Sequence, residues 1–258
     1  MRRLITFATA SAVALAAISA CGQAEGGNSS SSGGSEQTIT VFAASSLTES
    51  FTTISAAFEA ANPGVSITLN FGPSSGLATQ ITEGAPADVF ASASEKTMDT
   101  VVQAQLAVDA KPFATNTLAI ATPANPSIGV TSLSDLANPA VKVAVCQPDV
   151  PCGVAAAKLF ERNSLSVRPV SQEADVKAVL SKVRLGEVDA GIVYVTDITS
   201  AKNDVVGVAI PSANNVSTTY PITVVSSSTH LRTAQAFVDF VLSAQGQSNL
   251  AAAGFSSP

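Results

Sequence analysis

The chain has 258 residues, with 19 acidic against 13 basic side chains and a formal net charge of −6 at pH 7. It carries no basic run, no tryptophan and only two tyrosines. That excludes a nucleic-acid binder built on phosphate contacts and a stacking platform for sugars or bases. Residues 38–258 are numerous enough for one large or two modest cores.

The first elements are a leader and a leash. Met1-Arg2-Arg3, an apolar run over residues 4–17 and the small residues Ile18-Ser19-Ala20 make residues 1–20 a secretory signal peptide. The run falls short of the ~20 residues of a comfortable membrane span. Cys21 directly after Ile-Ser-Ala resembles a bacterial lipobox, which implies cleavage before Cys21 and lipidation of its thiol. Residues 22–37 (GQAEGGNSSSSGGSEQ) hold no large apolar side chain, so residues 21–37 read as a lipid-anchored flexible tether. The expected location is exported, in the periplasm or at the outer face of the cell membrane. Cys146 and Cys152 are the only other cysteines. An even count in an oxidising compartment favours a disulfide, with two reduced thiols as the alternative. A metal site is disfavoured, because no second cysteine pair or histidine accompanies them.

From residue 38 onward, strand-like and helix-like segments alternate. Residues 38–43 (TITVFA) form a β-branched run, and Leu47, Phe51, Ile54 and Phe58 then mark one helix face. Residues 65–71 alternate as a strand, a turn follows at Gly72-Pro73, and residues 77–81 open a helix. Residues 88–91, 118–121 and 141–145 read as strands, and residues 155–160 as a helix. Val176, Val179, Leu180 and Val183 form a helical stripe before the strand at 190–194. Ala234, Phe237, Val238 and Val241 mark a final helix. This alternation predicts an α/β fold with mostly parallel sheets, in which a ligand sits where strands end and helices begin.

Four strand-to-helix turns therefore matter. Ser46 with Glu49 three residues later has the form of a capping box, and a helix start also offers hydroxyl and amide donors to an anion. Gly72-Pro73-Ser74-Ser75-Gly76 places two hydroxyls at the next helix start. Asp149-Val150-Pro151-Cys152-Gly153 suits a tight turn with exposed amides, and Asp175 is the expected cap before Val176.

Residues 39–48 (ITVFAASSLT), 84–90 (GAPADVF) and 191–194 (GIVY) resemble the periplasmic molybdate-binding proteins of ABC importers, in order and with compatible spacing from about residue 38 to Phe255. The resemblance implies a two-lobed, type II periplasmic-binding fold with a hinge and an interlobe cleft. Residues 38–116 and 220–258 would form lobe 1, and residues 117–219 lobe 2. It implies a molybdate or tungstate ligand held by neutral donors: Ser46, Ser74 and Tyr194 through hydroxyls, Cys152 and Val176 through backbone amides. It further implies no cofactor and no catalysis, a monomer, and a membrane permease with its ATPase as partners. Two positions depart from the family pattern. Pro73 stands where serine is common, and Cys152 where alanine is usual.

Other readings follow from the same residues. A fully ionised oxyanion suits these turns better than phosphate, whose remaining proton needs an acceptor, because residues 43–46, 73–75 and 150–153 contain no carboxylate. Sulfate and phosphate receptors are the neighbouring alternatives. Gly72-Pro73-Ser74-Ser75-Gly76 also fits the G-x-S-x-G elbow of serine hydrolases, with Asp189 or Asp197 and the single histidine, His230, in a formally possible order. No glycine-rich oxyanion loop supports that alternative, and His230 reads as an exposed residue at a helix start.

Overall fold

The computed structural model describes residues 37–258. The leader, Cys21 and all but the last residue of the tether lie outside the described residues. The chain opens with β1 (Gln37–Ala44), a 3-10 turn at Ser45–Leu47, α1 (Thr48–Ala61), β2 (Val65–Gly72), α2 (Ser74–Thr82), β3 (Val89–Ala91) and α3 (Glu95–Gln103). The long strand β4 (Ala107–Pro123) comes next. After it stand β5 (Val143–Cys146), α4 (Pro151–Arg162), β6 (Ser171–Glu173), α5 (Val176–Arg184), β7 (Ala190–Tyr194), α6 (Val195–Ala201) and β8 (Val205–Ala209). The chain finishes with β9 (Ser217–Val225), α7 (Leu231–Leu242) and α8 (Ala244–Ala252).

The α/β class is as expected, but the sheet is mixed rather than mostly parallel. Parallel pairing joins β2 to β1 and β1 to β3, and again β6 to β5 and β5 to β7. Between these groups, β9 runs antiparallel to β3 and β4, and β4 runs antiparallel to β7 and β8. The reason lies in β4. Its residues 107–117 pair with β9, while residues 118–123 pair with β7 and β8. One strand thus passes from one parallel group to the other, and β9 returns beside it.

Two main cores follow from this layout. Ile39, Val41, Phe51, Ile54, Phe58, Phe113, Phe237 and Val241 belong to one, with edge-to-face rings at Phe58–Phe237 (5.4 Å) and Phe113–Tyr220 (6.3 Å). The helix stripe foreseen at Leu47, Phe51, Ile54 and Phe58 is wholly buried here. Leu118, Ile120, Val143, Val145, Leu159, Val179, Val183 and Ile192 belong to the other. There α5 lies close on β7. A Cβ at Gly191 would come within 2.7 Å of Val179 and 2.8 Å of Val183, so only glycine permits that approach. A smaller cluster of Phe42, Leu77, Ile81, Phe90, Met98 and Val101 seats α2 and α3.

Candidate functional site

The parallel strands deliver their carboxyl ends to one place. Ala44 ends β1, Gly72 ends β2, and Ala93 follows β3; Val150 follows β5, Asp175 follows β6, and Tyr194 ends β7. All six residues line one small cavity, together with Ser45, Ser46, Pro73, Ser74, Pro151, Cys152 and Val176. The five residues singled out from the sequence, Ser46, Ser74, Cys152, Val176 and Tyr194, are therefore brought together here. Each of them is buried, Ser74 and Tyr194 at 1% exposure.

Three of the helix starts around the cavity are bare. Ala44 before the 3-10 turn, Pro73 before α2 and Val150 before α4 make no side-chain cap. Of the helices starting elsewhere, α3 and α8 are capped, with Ser94 accepting from Thr97 N and Ser243 from Gly246 N, whereas α7 is not. The first amides of a helix have no intrahelical acceptor, so the uncapped turns leave Ser74, Ser75, Cys152 and Gly153 N–H groups for another partner. Pro73 thereby gains a physical reading: serine at this place would cap α2 itself, whereas proline only directs the chain. At α5, Asp175 Oδ1 accepts from Lys177 N (2.9 Å) and Ala178 N (3.0 Å), as the sequence foresaw, leaving the preceding Val176 amide uncapped.

The hydroxyls are arranged to donate. Ser74 Oγ accepts the Ala93 N–H at 3.0 Å, so its own proton can point to the cavity. Ser46 Oγ lies 3.0 Å from Tyr220 Oη, and when Tyr220 donates, the Ser46 proton is likewise free. Burial pushes the phenols of both Tyr220 and Tyr194 well above their ordinary range, so both remain protonated donors. Tyr194 Oη is buried and makes no well-formed hydrogen bond among the described residues, although the Tyr220 and Thr218 side chains stand close enough to interact with it. An orphaned hydroxyl on a cavity wall costs free energy unless something there accepts from it.

One sequence expectation is corrected. Ser46 and Glu49 do not form a capping box: α1 begins at Thr48, its N-cap Leu47 makes no side-chain bond, and the two side chains are engaged elsewhere. Ser46 turns to Tyr220, and the Glu49 carboxylate binds Lys177 Nζ. Both partners are distant in sequence, so the local spacing could not reveal them. Tyr220 carried no signal beyond being one of two tyrosines.

Cys146 and Cys152 form a disulfide with Cα atoms 5.7 Å apart. It closes the loop that presents the Cys152 amide. Gly153 is needed in the same turn, because a Cβ there would meet Gln147 O at 1.8 Å. Behind Tyr194, the wholly buried Asp197 accepts the Tyr194 N–H at 3.0 Å and pairs with Lys177 Nζ at 3.1 Å. Burial pushes the Asp197 carboxyl up to about 6 despite that ammonium. Neither His230 nor Asp189 lines the cavity. His230 starts α7 and faces Asp88 Oδ1 at 3.3 Å, half-buried rather than exposed.

The cavity is small. It leaves about 20 Å³ for the centre of a water-sized sphere, against roughly 300–1,000 Å³ for ordinary organic-ligand sites. A wider groove of about 460 Å³ shares only Pro151 with it. That groove mixes Lys96 and Lys158 with Glu95 and Asp149, and although Ser75 lines it, Ser46, Ser74, Cys152, Val176 and Tyr194 do not.

Fold and cavity together define a receptor for a small solute. The pattern of the bacterial extracellular solute-binding proteins matches residues 39–256, and the chain belongs to that family. It is 42% identical over 252 residues to the molybdate-binding protein ModA of Mycobacterium bovis, covering 96% of each chain. It is 34% identical to the molybdate-binding protein ModA of Escherichia coli, covering 80% of this chain and 84% of that one. The periplasmic molybdate-binding protein of Azotobacter vinelandii shares the fold with a TM-score of 0.77 at 21% identity, covering 85% of this chain and 99% of that one.

Proposed function

We propose that this chain captures molybdate or tungstate outside the cell and hands it to an ABC importer. The observation that carries this reading is the ring of unspent donors around a cavity with no cationic lining residue. Ser46, Ser74 and Tyr194 would supply hydroxyls, and Cys152 and Val176 amides, to a tetrahedral dianion. Convergent helix starts add a favourable field for negative charge. The small volume of the cavity suits an anion of a few atoms rather than an organic ligand. Metal–oxygen bonds in molybdate and tungstate are longer than S–O or P–O bonds, so the spacing of these donors would set the choice between those anions and sulfate or phosphate. Phosphate also brings a proton that needs an acceptor. The only carboxylate residue on the wall is Asp175, whose Oδ1 already accepts from two amides of α5, so its Oδ2 would be the one carboxylate oxygen left to accept that proton. The names of the relatives point to the same ligand.

In this reading residues 38–116 and 220–258 act as one lobe and residues 117–219 as the other, hinged where β4 and β9 run side by side. Closure around the anion creates the form that a permease recognises, and the ATPase behind it supplies the energy. The protein works as a monomer and catalyses nothing. The lipobox-like Ile-Ser-Ala-Cys21 supports export and a lipid anchor, with loss of membrane association in Cys21→Ala as its check.

Calorimetric titration of the anion-stripped protein with molybdate, tungstate, sulfate and phosphate tests the ligand. Tight binding confined to molybdate and tungstate is expected. Equal affinity for phosphate would defeat the donor-only argument.

A further inference from the structure

Each of three donor-bearing turns is followed closely by a charged residue that the ligand site does not use. Glu49 comes three residues after Ser46, Lys177 one after Val176, and Asp197 three after Tyr194. These three meet. Lys177 Nζ lies 2.7 and 2.9 Å from the Glu49 carboxylate oxygens, 3.1 Å from Asp197 Oδ1 and 3.4 Å from Ser200 Oγ. Asp197 Oδ2 in turn accepts the Tyr194 amide.

The partners divide unevenly between the two cores. Lys177, Asp197 and Ser200 stand on α5 and α6, which pack on the β5–β7 side, while Glu49 stands on α1, which packs on the β1–β3 side. The other ion pairs among the described residues, Lys111–Asp109, Lys182 with Glu173 and Glu187, Arg184–Asp204 and His230–Asp88, each stay on one side. Glu49–Lys177 alone crosses.

We propose that Lys177 is a positioning residue that latches the closed cavity, gripping Glu49 across the cleft while Asp197 holds it on the far side. Asp197 is fully buried and needs the ammonium wherever the lobes stand, since an uncompensated buried charge is costly. Lys177 is therefore aimed in advance. Opening the cleft breaks only its bond to Glu49, whose side chain is 52% exposed. Such a half-exposed pair is modest in strength and screened by salt. It acts on how long the ligand stays rather than on which ligand enters. Burial opposes the Lys177 charge, but Asp197 and Glu49 outweigh it and keep the ammonium protonated.

The inference rests on the ligand reading above, and the test separates the two. Molybdate release is followed by stopped flow for wild type, Glu49→Gln and, as a control, Glu187→Gln, which removes a comparable exposed partner of Lys182. Glu49→Gln should release about two- to five-fold faster at low salt. It should also lose the acceleration by salt that wild type shows, while Glu187→Gln behaves as wild type. An unchanged rate and unchanged salt response in Glu49→Gln overturns the latch and leaves the ligand reading intact. If wild type binds no molybdate, the ligand reading has failed, and the latch is read in the ligand-free protein by small-angle scattering. There Glu49→Gln should give the larger radius of gyration at low salt, and identical curves would overturn it.

Discussion

Replacing Tyr194 by phenylalanine should act with opposite signs on the free and the loaded protein. In the closed conformation without ligand the hydroxyl is buried and makes no well-formed hydrogen bond among the described residues. A buried, unsatisfied polar group costs about 1–3 kcal/mol, so Tyr194→Phe should favour the closed ligand-free form and stabilise the anion-stripped protein by up to about 1 kcal/mol. The ring stays in place, since its edge-to-face contact with Tyr220 at 6.0 Å needs no hydroxyl. In the loaded protein the same oxygen donates to an anion. A hydrogen bond to a charged partner contributes about 1.5–3 kcal/mol, so affinity for molybdate should fall by about ten- to hundred-fold. Urea unfolding of the anion-stripped protein gives the first number and calorimetry the second. A variant that loses more than about 1 kcal/mol of stability while binding molybdate like wild type would refute the reasoning, because the hydroxyl would then be a structural group.

Ser74→Ala should weaken molybdate binding by about ten-fold or more and also cost about 1 kcal/mol of stability, because the Ala93 amide loses its acceptor; titration and urea unfolding read the two effects separately. Gly153→Ala drives a Cβ to within 1.8 Å of Gln147 O, so a destabilisation of about 1–3 kcal/mol should accompany loss of binding in thermal melts and titrations. Asp197 is pushed up by burial to about 6 from 3.8, so the folded state holds its proton more tightly than the unfolded state does. Its contribution is therefore full below about pH 4 and lost as pH rises through about 6, a difference on the order of 3 kcal/mol. Unfolding free energies between pH 4 and 7 should show this fall in wild type and not in Asp197→Asn, whose amide oxygen still accepts from Tyr194 N.

The strand–turn–helix units were legible because their signals are local. The period-2 run at 38–43 became part of β1, the stripe from Leu47 to Phe58 became the buried face of the 3-10 turn and α1, and 190–194 became β7. The middle of the sheet was not legible. The first half of β4 carries Asp109, Lys111 and Pro112, and its pairing with β9 joins residues about a hundred positions apart. No alternation marks it, so the antiparallel centre went unseen and the sheet was expected to be mostly parallel. The site divides in the same way. Strand ends and helix starts drew attention to the turns that hold Ser46, Ser74, Cys152 and Val176, while the resemblance to molybdate-binding proteins singled out these residues and added Tyr194. What orients them is not local: Tyr220 reaches Ser46 across 174 residues and Lys177 reaches Glu49 across 128. Ser46 and Glu49 misled for that reason, because their spacing satisfies a capping rule that two distant partners override.

The central claim is that an oxyanion sits where these five residues converge. Anomalous diffraction at the molybdenum edge from crystals grown with molybdate tests it most directly. The account predicts one strong peak in the cavity, with oxygens within hydrogen-bonding distance of the Ser46, Ser74 and Tyr194 hydroxyls and the Cys152 and Val176 amides. A peak in the wide groove beside Lys96 and Lys158, or no peak from a well-ordered closed molecule, would contradict it.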